Sequence, residues 1–137
     1  MESRIKRLML TLIAALAVSA NAYAGCTKTQ LAGAWDVVFS DGNSCRLVVD
    51  IEGEVLIEAD RSQSTCFDPF RGTTVPDEGS YTVSDDCSVS FELVVEGANV
   101  ELYGQVIQPR IFGTGFFVTY IPDVFAAKGS FNMARAK

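Results

Sequence analysis

Four cysteines, at positions 26, 45, 66 and 87, are the residues most able to form covalent or metal chemistry in this sequence. Their spacings are about twenty residues and no C-x-x-C pair occurs, whereas zinc sites usually pair their ligands closely. An even number of cysteines in an exported chain is typical of disulfides, and four cysteines allow three connectivities. The sequence therefore predicts two disulfides, no bound metal and no other cofactor.

Residues suited to acid–base or nucleophilic catalysis are scarce. The chain contains no His, which excludes Ser-His-Asp and Cys-His arrangements and removes the commonest metal ligand. Neighbouring carboxylates such as Asp85 and Asp86 lie where a turn or a solvated face is expected. Gly113 and Gly115 lie within an apolar run, so they indicate a bent strand or a close backbone approach, not a phosphate loop. We therefore predict that the protein is not an enzyme.

Residues 1–24 have the three parts of a cleaved secretory signal peptide. Arg4, Lys6 and Arg7 precede an apolar run over residues 8–18, and residues 22–24 read Ala-Tyr-Ala, a cleavage pattern. The apolar run is short for a membrane span and no second one follows; the alternative is an uncleaved anchor. The sequence predicts a mature domain over residues 25–137, located in the periplasm or outside a bacterial cell.

Cys26 permits a competing processing route. Residues 23–26 read Tyr-Ala-Gly-Cys, which resembles the Ala-Gly-Cys end of a bacterial lipobox, where the cysteine is lipidated. However, Tyr23 stands where Leu is usual, and lipidation would leave three thiols in an oxidising compartment. We therefore expect Cys26 to be disulfide-bonded and not to carry a lipid anchor.

The charge of the chain limits its partners. It carries 11 Lys and Arg against 17 Asp and Glu, a net charge of −6 that becomes −8 without residues 1–24. An acidic surface disfavours nucleic acid and anionic membrane faces. About 113 mature residues form one domain. The expected partner is a small apolar ligand or another protein, with no nucleic acid and no membrane span.

Short runs of alternating apolar and polar residues, separated by turn residues, fill the mature chain. No long window has helical periodicity, although residues 27–32 could form one helical turn. Eight strands are predicted, at residues 33–40, 45–52, 54–61, 79–84, 87–96, 98–108, 111–120 and 129–136. Only two connections are longer, at residues 62–78 and 121–128.

The alternation also predicts which side chains point inward. The bulky inward positions are Trp35, Phe39, Ile51, Tyr81, Phe91, Leu102, Phe131 and Met133, and the opposite face is largely charged. This arrangement excludes an outer-membrane barrel, which is apolar outside. We predict an all-β fold, an eight-stranded antiparallel up-and-down β-barrel, because closure removes exposed strand edges; a two-sheet sandwich is the alternative.

Strand direction in such a barrel predicts the disulfide pairing. We call the end that holds the Asp41-Gly42-Asn43 turn the top end and the opposite end the bottom end. Cys45 begins the second strand at the top end, where Cys66 also lies in the connection after the third strand. Cys26 and Cys87 both lie at the bottom end. The predicted disulfides are therefore Cys45–Cys66 and Cys26–Cys87.

Both longer connections also fall at the top end and carry large apolar side chains. The candidate binding residues are Phe67, Phe70, Tyr120, Ile121, Val124 and Phe125. Loops on a rigid scaffold and the mouths of barrels are common binding sites, so we predict a ligand or partner site here. The alternative is that these side chains fold over the protein's own core. Because the inward positions are bulky, any internal ligand site is expected to be shallow and near the top end.

Two resemblances accompany these patterns. Gly33-Ala34-Trp35 resembles the G-x-W signature of lipocalins and the wider calycin superfamily, which implies a calycin-like barrel in which a basic residue of the last strand, here Arg135, packs over Trp35. Residues 31–35 and 44–49, with Cys66, look like the first half of the Inh-type bacterial metalloprotease inhibitors, which are also calycin barrels. That resemblance implies an alternative function, inhibition of a protease by an N-terminal trunk. The second half of this sequence departs from that family, in which a second tryptophan is expected, because Trp35 is the only tryptophan here.

Overall fold

The structure, a computed structural model, describes residues 25–57, 63–122 and 125–137. The predicted signal peptide and the candidate residue Val124 lie outside these ranges. The described residues form one helix and nine strands. They are α1 (Lys28–Leu31), β1 (Gly33–Phe39), β2 (Ser44–Val49), β3 (Thr65–Asp68), β4 (Gly72–Thr74), β5 (Glu78–Val83), β6 (Ser88–Val95), β7 (Ala98–Gln108), β8 (Phe112–Ile121) and β9 (Phe125–Arg135).

All nine strands belong to one curled antiparallel sheet in the order β4-β3-β2-β1-β9-β8-β7-β6-β5. The first and last strands are neighbours, with Trp35 opposite Arg135 and Phe39 opposite Phe131. The all-β, antiparallel prediction and the adjacency of the first and last strands are confirmed. The longer strands carry alternating apolar residues that pack together on the inner side of the curled sheet.

Residues 53–56 connect the two halves of this sheet. On one side the Val55 N–H donates to the Gly79 carbonyl of β5 over 3.0 Å. On the other side the Leu56 N–H donates to the Val48 carbonyl of β2 over 2.7 Å. The short segment thus lies between strands that the sheet order places far apart.

The predicted third strand, residues 54–61, was wrong. Within its described part, Glu54 and Val55 form only isolated bridges. β2 pairs instead with β3, which, together with β4, lies in the stretch predicted as a long connection. Ser64 explains the change, because this buried hydroxyl accepts a 2.9 Å hydrogen bond from the Val48 N–H and fixes the chain beside β2 just before β3. The described residues therefore form nine strands, whereas eight were predicted.

Two further boundaries differ from prediction. β2 ends at Val49 because the Asp50 carboxylate accepts the N–H groups of Glu52 and Glu54, each over 2.9 Å, and turns the chain. Ile51 in that turn is 60% exposed, so its inward assignment was wrong. The second predicted long connection, residues 121–128, was also wrong. β8 and β9 form a continuous hairpin whose last pair is Ile121 with Phe125.

Aromatic side chains fill the inner side of the sheet. Apart from Ile51, every bulky residue predicted to point inward is buried: Trp35, Phe39, Tyr81, Phe91, Leu102, Phe131 and Met133. Tyr81 stacks on Phe91 with ring centroids 5.7 Å apart, and Phe39 meets Phe117 edge to face at 5.1 Å. Such contacts add to the free energy gained by removing the rings from water.

Gly113 and Gly115 lie where neighbouring strands approach closely, as the sequence indicated. A Cβ at Gly115 would collide with the Tyr103 carbonyl oxygen of β7, and one at Gly113 would lie 3.1 Å from Met133 Cγ of β9. The absent side chains therefore let β8 pack tightly between its two partners.

Both predicted disulfides are confirmed. Cys26–Cys87 ties the segment before α1 to the turn between β5 and β6, and Cys45–Cys66 joins directly opposed residues of β2 and β3. Cys26 is therefore bonded to Cys87, as the pairing predicted from strand direction requires. Two disulfides fit an extracytoplasmic compartment, where thiols are oxidised. Within the described ranges, no helix has the length and apolar character needed to cross a bilayer.

α1 and Tyr81 close the bottom end. Thr27 and Gln30 form a capping box that starts the helix, and Leu31 is buried beneath it. The Tyr81 hydroxyl donates to the Asp50 carbonyl oxygen and lies 3.4 Å from the Lys28 carbonyl oxygen. Burial, together with the charge of Asp50, raises the pKa of Tyr81 to about 12.

We expect the Tyr81→Phe variant to lose less stability at alkaline pH than the native protein does. The folded state favours the neutral phenol of Tyr81. Its contribution to the free energy of unfolding is therefore complete below the pKa of about 10 that tyrosine has in the unfolded chain, and this contribution is lost as the pH rises towards 12. From pH 9 to 12 the native protein should lose roughly 1–2 kcal/mol more unfolding free energy than the variant, since the hydroxyl is partly screened by solvent. Urea unfolding at several pH values measures this difference. Tyr120→Phe, at a tyrosine that is 45% exposed, is the control, and an equal loss in Tyr81→Phe and the native protein would contradict the assignment.

Candidate functional site

A cavity of about 300 Å³ opens at the top end of the sheet. The residues at its mouth lie in or beside the connections between strands. They are Asp41 (between β1 and β2), Asp68 and Arg71 (between β3 and β4), Glu96 (between β6 and β7) and Ile121 (at the end of β8). Its walls come from inward-pointing strand residues, among them Phe39, Cys45, Cys66, Leu93, Val95, Val100 and Phe117. The arrangement is an apolar hollow with a polar rim.

Local turn chemistry fixes the rim. The Asp41 carboxylate accepts the Asn43 N–H over 3.0 Å, and Gly42 between them has a φ of +92°, which favours glycine. Glu96 and Gly97 both have positive φ, as the two-residue turn of a tight β-hairpin requires. Both turns are therefore ordered hairpins that hold their charged side chains at the mouth.

The floor of the cavity explains why it is shallow. Phe39 and Phe117 lie at its base, and Phe131, a neighbour of Phe39 with ring centroids 6.4 Å apart, is fully buried. Trp35 and Phe91 fill the interior nearer the bottom end. The cavity consequently lies in the upper part of the sheet, where the sequence predicted any internal site.

Three carboxylates and one guanidinium lie at the rim. Arg71 Nη1 lies 3.6 Å from Glu96 Oε2, an exposed ion pair that links the β3–β4 turn to the β6–β7 turn. Asp68 Oδ1 accepts the Phe70 N–H over 2.8 Å. The rim therefore has an excess of negative charge over an apolar interior.

The candidate binding residues fall into two groups. Phe67 and Ile121 line the cavity, whereas Phe70 and Tyr120 lie outside it and are 96% and 45% exposed. The alternative in which these side chains cover the core is therefore wrong for Phe70. Phe125 pairs with Ile121 through the backbone at the β8–β9 hairpin.

Sequence reasoning missed the charged rim. The sequence predicts Asp41 in a hairpin turn, Glu96 at the end of a strand, and Asp68 and Arg71 in a long connection. The usable signal was the position of each charge beside a turn at the same end of the sheet. The missing information was the β3–β4 hairpin, without which Arg71 could not be placed opposite Glu96.

Trp35 and Arg135 meet at the bottom end, as the resemblance implied. Arg135 Cζ lies 4.4 Å from the Trp35 ring centroid. The guanidinium also donates to carbonyl oxygens at the end of α1, to Gln30 over 2.6 Å and to Ala32 over 2.7 Å. Burial, followed by the charge of Arg110, lowers the pKa of Arg135. This pair is structural and far from the cavity mouth.

Compared with known proteins, the chain matches no protein-family model and no curated protein. The fold defines an all-β protein with a curled antiparallel sheet and two disulfides. The cavity at the top end is therefore the observation on which a function can be proposed.

Proposed function

We propose that this protein is a non-catalytic binding module of the bacterial envelope that takes a small apolar ligand into the top-end cavity. The observation that carries the proposal is the hollow of about 300 Å³, whose walls are largely apolar and whose charged groups lie at its rim. Ligand sites typically range from about 300 to 1,000 Å³ and have this composition, so the ligand is small.

The framework of the proposal is a calycin-like barrel. The hydrogen bonds of residues 53–56 to both β2 and β5 support closure of the sheet. The packing of Arg135 on Trp35, with the first and last strands paired, supports the calycin likeness. The disulfides, the acidic surface and the predicted signal peptide support placement in the envelope.

Binding of the neutral fluorescent probe N-phenyl-1-naphthylamine tests the site. Ala127 lines the cavity from β9, and its neighbour Ala126 lies on the opposite, exposed face of the same strand. We expect Ala127→Phe to fill the cavity and weaken binding at least about tenfold, because the probe loses apolar contact area. Ala126→Phe adds the same ring outside and should bind as the native protein does.

Circular dichroism and thermal unfolding of both variants establish that each is folded. Probe binding that survives in folded Ala127→Phe, or that is absent from the native protein, would overturn the proposal. Native mass spectrometry of protein purified without denaturant adds a second readout, since a co-purifying apolar molecule supports carriage.

A protein partner at the same end is the second candidate, and the exposure of Phe70 favours it. Large apolar side chains that protrude from a turn are typical anchors at interfaces. A protein that co-purifies with the native chain and is lost with Phe70→Asp would support this candidate. The protease-inhibitor alternative requires a free N-terminal trunk, whereas Cys26 is 3% exposed and bonded to Cys87.

A further inference from the structure

We propose that the top-end cavity selects amphipathic cations, which carry a short apolar chain and one ammonium group. This inference rests on the proposed function, because it names the class of ligand that the same cavity prefers. The apolar chain would occupy the hollow between the walls, and the ammonium group would remain at the rim beside Asp41 and Asp68.

The four charged side chains of the rim fall into two groups, one ion pair and two further carboxylates. Arg71 and Glu96 lie 3.6 Å apart and compensate each other. Asp41 and Asp68 have no salt bridge to any described residue. Their hydrogen bonds come from the Asn43 N–H and side-chain amide and from the Phe70 N–H, which are uncharged donors. Among the residues that the structure describes, these two carboxylates at the mouth thus have no cationic partner.

These two carboxylates lie beside neighbouring turns. A Cβ placed on Gly42, next to Asp41, would lie 3.8 Å from Pro69 Cγ, next to Asp68. The β1–β2 and β3–β4 turns are therefore adjacent at one part of the rim. A monovalent cation held there would lie in the electrostatic field of both carboxylates.

An aromatic side chain strengthens this preference. Phe67 lines the cavity immediately before Asp68. The face of a phenyl ring attracts the ammonium group of a ligand, whereas it does not attract a ligand's carboxylate group. The net charge of −6 on the whole chain adds a longer-range field of the same sign.

Three probes with the same eight-carbon chain test the selectivity. n-Octylammonium, 1-octanol and octanoate each contain eight carbons and carry a positive, a neutral and a negative head group at pH 7, and each competes with N-phenyl-1-naphthylamine. At low ionic strength we expect octylammonium to displace the dye at a concentration roughly tenfold below octanol and further below octanoate. High salt should narrow the difference, because the rim is exposed to solvent.

Substitutions at the rim assign the effect to its residues. Asp41→Asn and Asp68→Asn retain an acceptor for the turn hydrogen bonds and remove the charge, so the double variant should reduce the preference for octylammonium about tenfold. Asp86→Asn is the matched control, because Asp86 also accepts a turn N–H, from Ser88, but lies at the bottom end. Its preference should equal that of the native protein.

The outcomes separate this inference from the proposed function. If the dye binds but the three probes displace it equally, or octanoate displaces it best, the cation preference is wrong and the cavity function stands. The preference is also wrong if Asp86→Asn reduces it as much as the rim variant does. If neither the dye nor any probe binds the native protein, the proposed function fails and this inference fails with it.

Discussion

Arg135→Ala is expected to lower the free energy of unfolding by about 3 kcal/mol. The substitution removes a guanidinium 4.4 Å from the Trp35 ring centroid and its charge-assisted hydrogen bonds to three carbonyls of residues 30–32. Those carbonyls end α1, so they would lose the cation that satisfies them at the helix C-terminus. Equilibrium unfolding in urea, followed by Trp35 fluorescence and by circular dichroism, measures the loss.

Two neighbouring substitutions make the expectation specific to the guanidinium of Arg135. Arg135→Lys keeps the charge but loses the planar fork that reaches several carbonyls, so it should recover less than half of the loss. Arg110→Ala removes an exposed positive charge that opposes Arg135, and it should be neutral or slightly stabilising. An Arg135→Ala protein as stable as Arg110→Ala would show that the contact with Trp35 contributes little.

The parts of the fold that sequence reasoning located are those with strong local signals. Asp41-Gly42-Asn43 and Glu96-Gly97 carry residues whose backbone preferences define hairpin turns, so β1–β2 and β6–β7 were placed well. The alternation through Phe91 and Leu102 gave their strands the correct inner face. Counting strand directions from these turns then gave the correct disulfide pairing, although one strand was misplaced.

The parts that it missed depend on contacts between distant residues. Residues 54–61 alternate like a strand, yet β3 forms later because buried Ser64 bonds to Val48 of β2. Likewise, Ile51 continues the alternation of β2, but the Asp50 carboxylate turns the chain. A period-two pattern cannot reveal either event, since each is decided by a single polar side chain.

The candidate site was located only to the correct end. Phe67 and Ile121 lie beside turns at the top end of the sheet and line the cavity. Phe70 and Tyr120 are also large apolar residues at this end of the sheet, but they lie outside the cavity. Hydrophobicity alone could therefore not separate the two groups. The charged rim needed the paired geometry of turns that are distant in sequence, as Arg71 and Glu96 illustrate.

Replacing both Cys26 and Cys87 by Ser is expected to lower the free energy of unfolding by about 4 kcal/mol, compared with about 3 kcal/mol for the Cys45 and Cys66 pair. The first disulfide closes a loop of 61 residues and the second a loop of 21, so the first restricts the unfolded chain more. Urea unfolding without reductant measures both losses. A larger loss for the Cys45 and Cys66 pair would contradict this order.

The two disulfides should also differ in what else they affect. Cys26–Cys87 holds the segment before α1, and the end of α1 supplies carbonyls that Arg135 contacts. Cys45–Cys66, by contrast, lies in the cavity wall. Loss of the bottom-end bond should therefore reduce the destabilisation by Arg135→Ala and leave dye binding unchanged in the folded protein. Loss of the top-end bond should weaken dye binding and leave the Arg135 effect at its native size. If the Arg135→Ala loss is the same in both backgrounds, α1 is held in place without its disulfide, and the bottom end does not depend on the covalent link for its alignment.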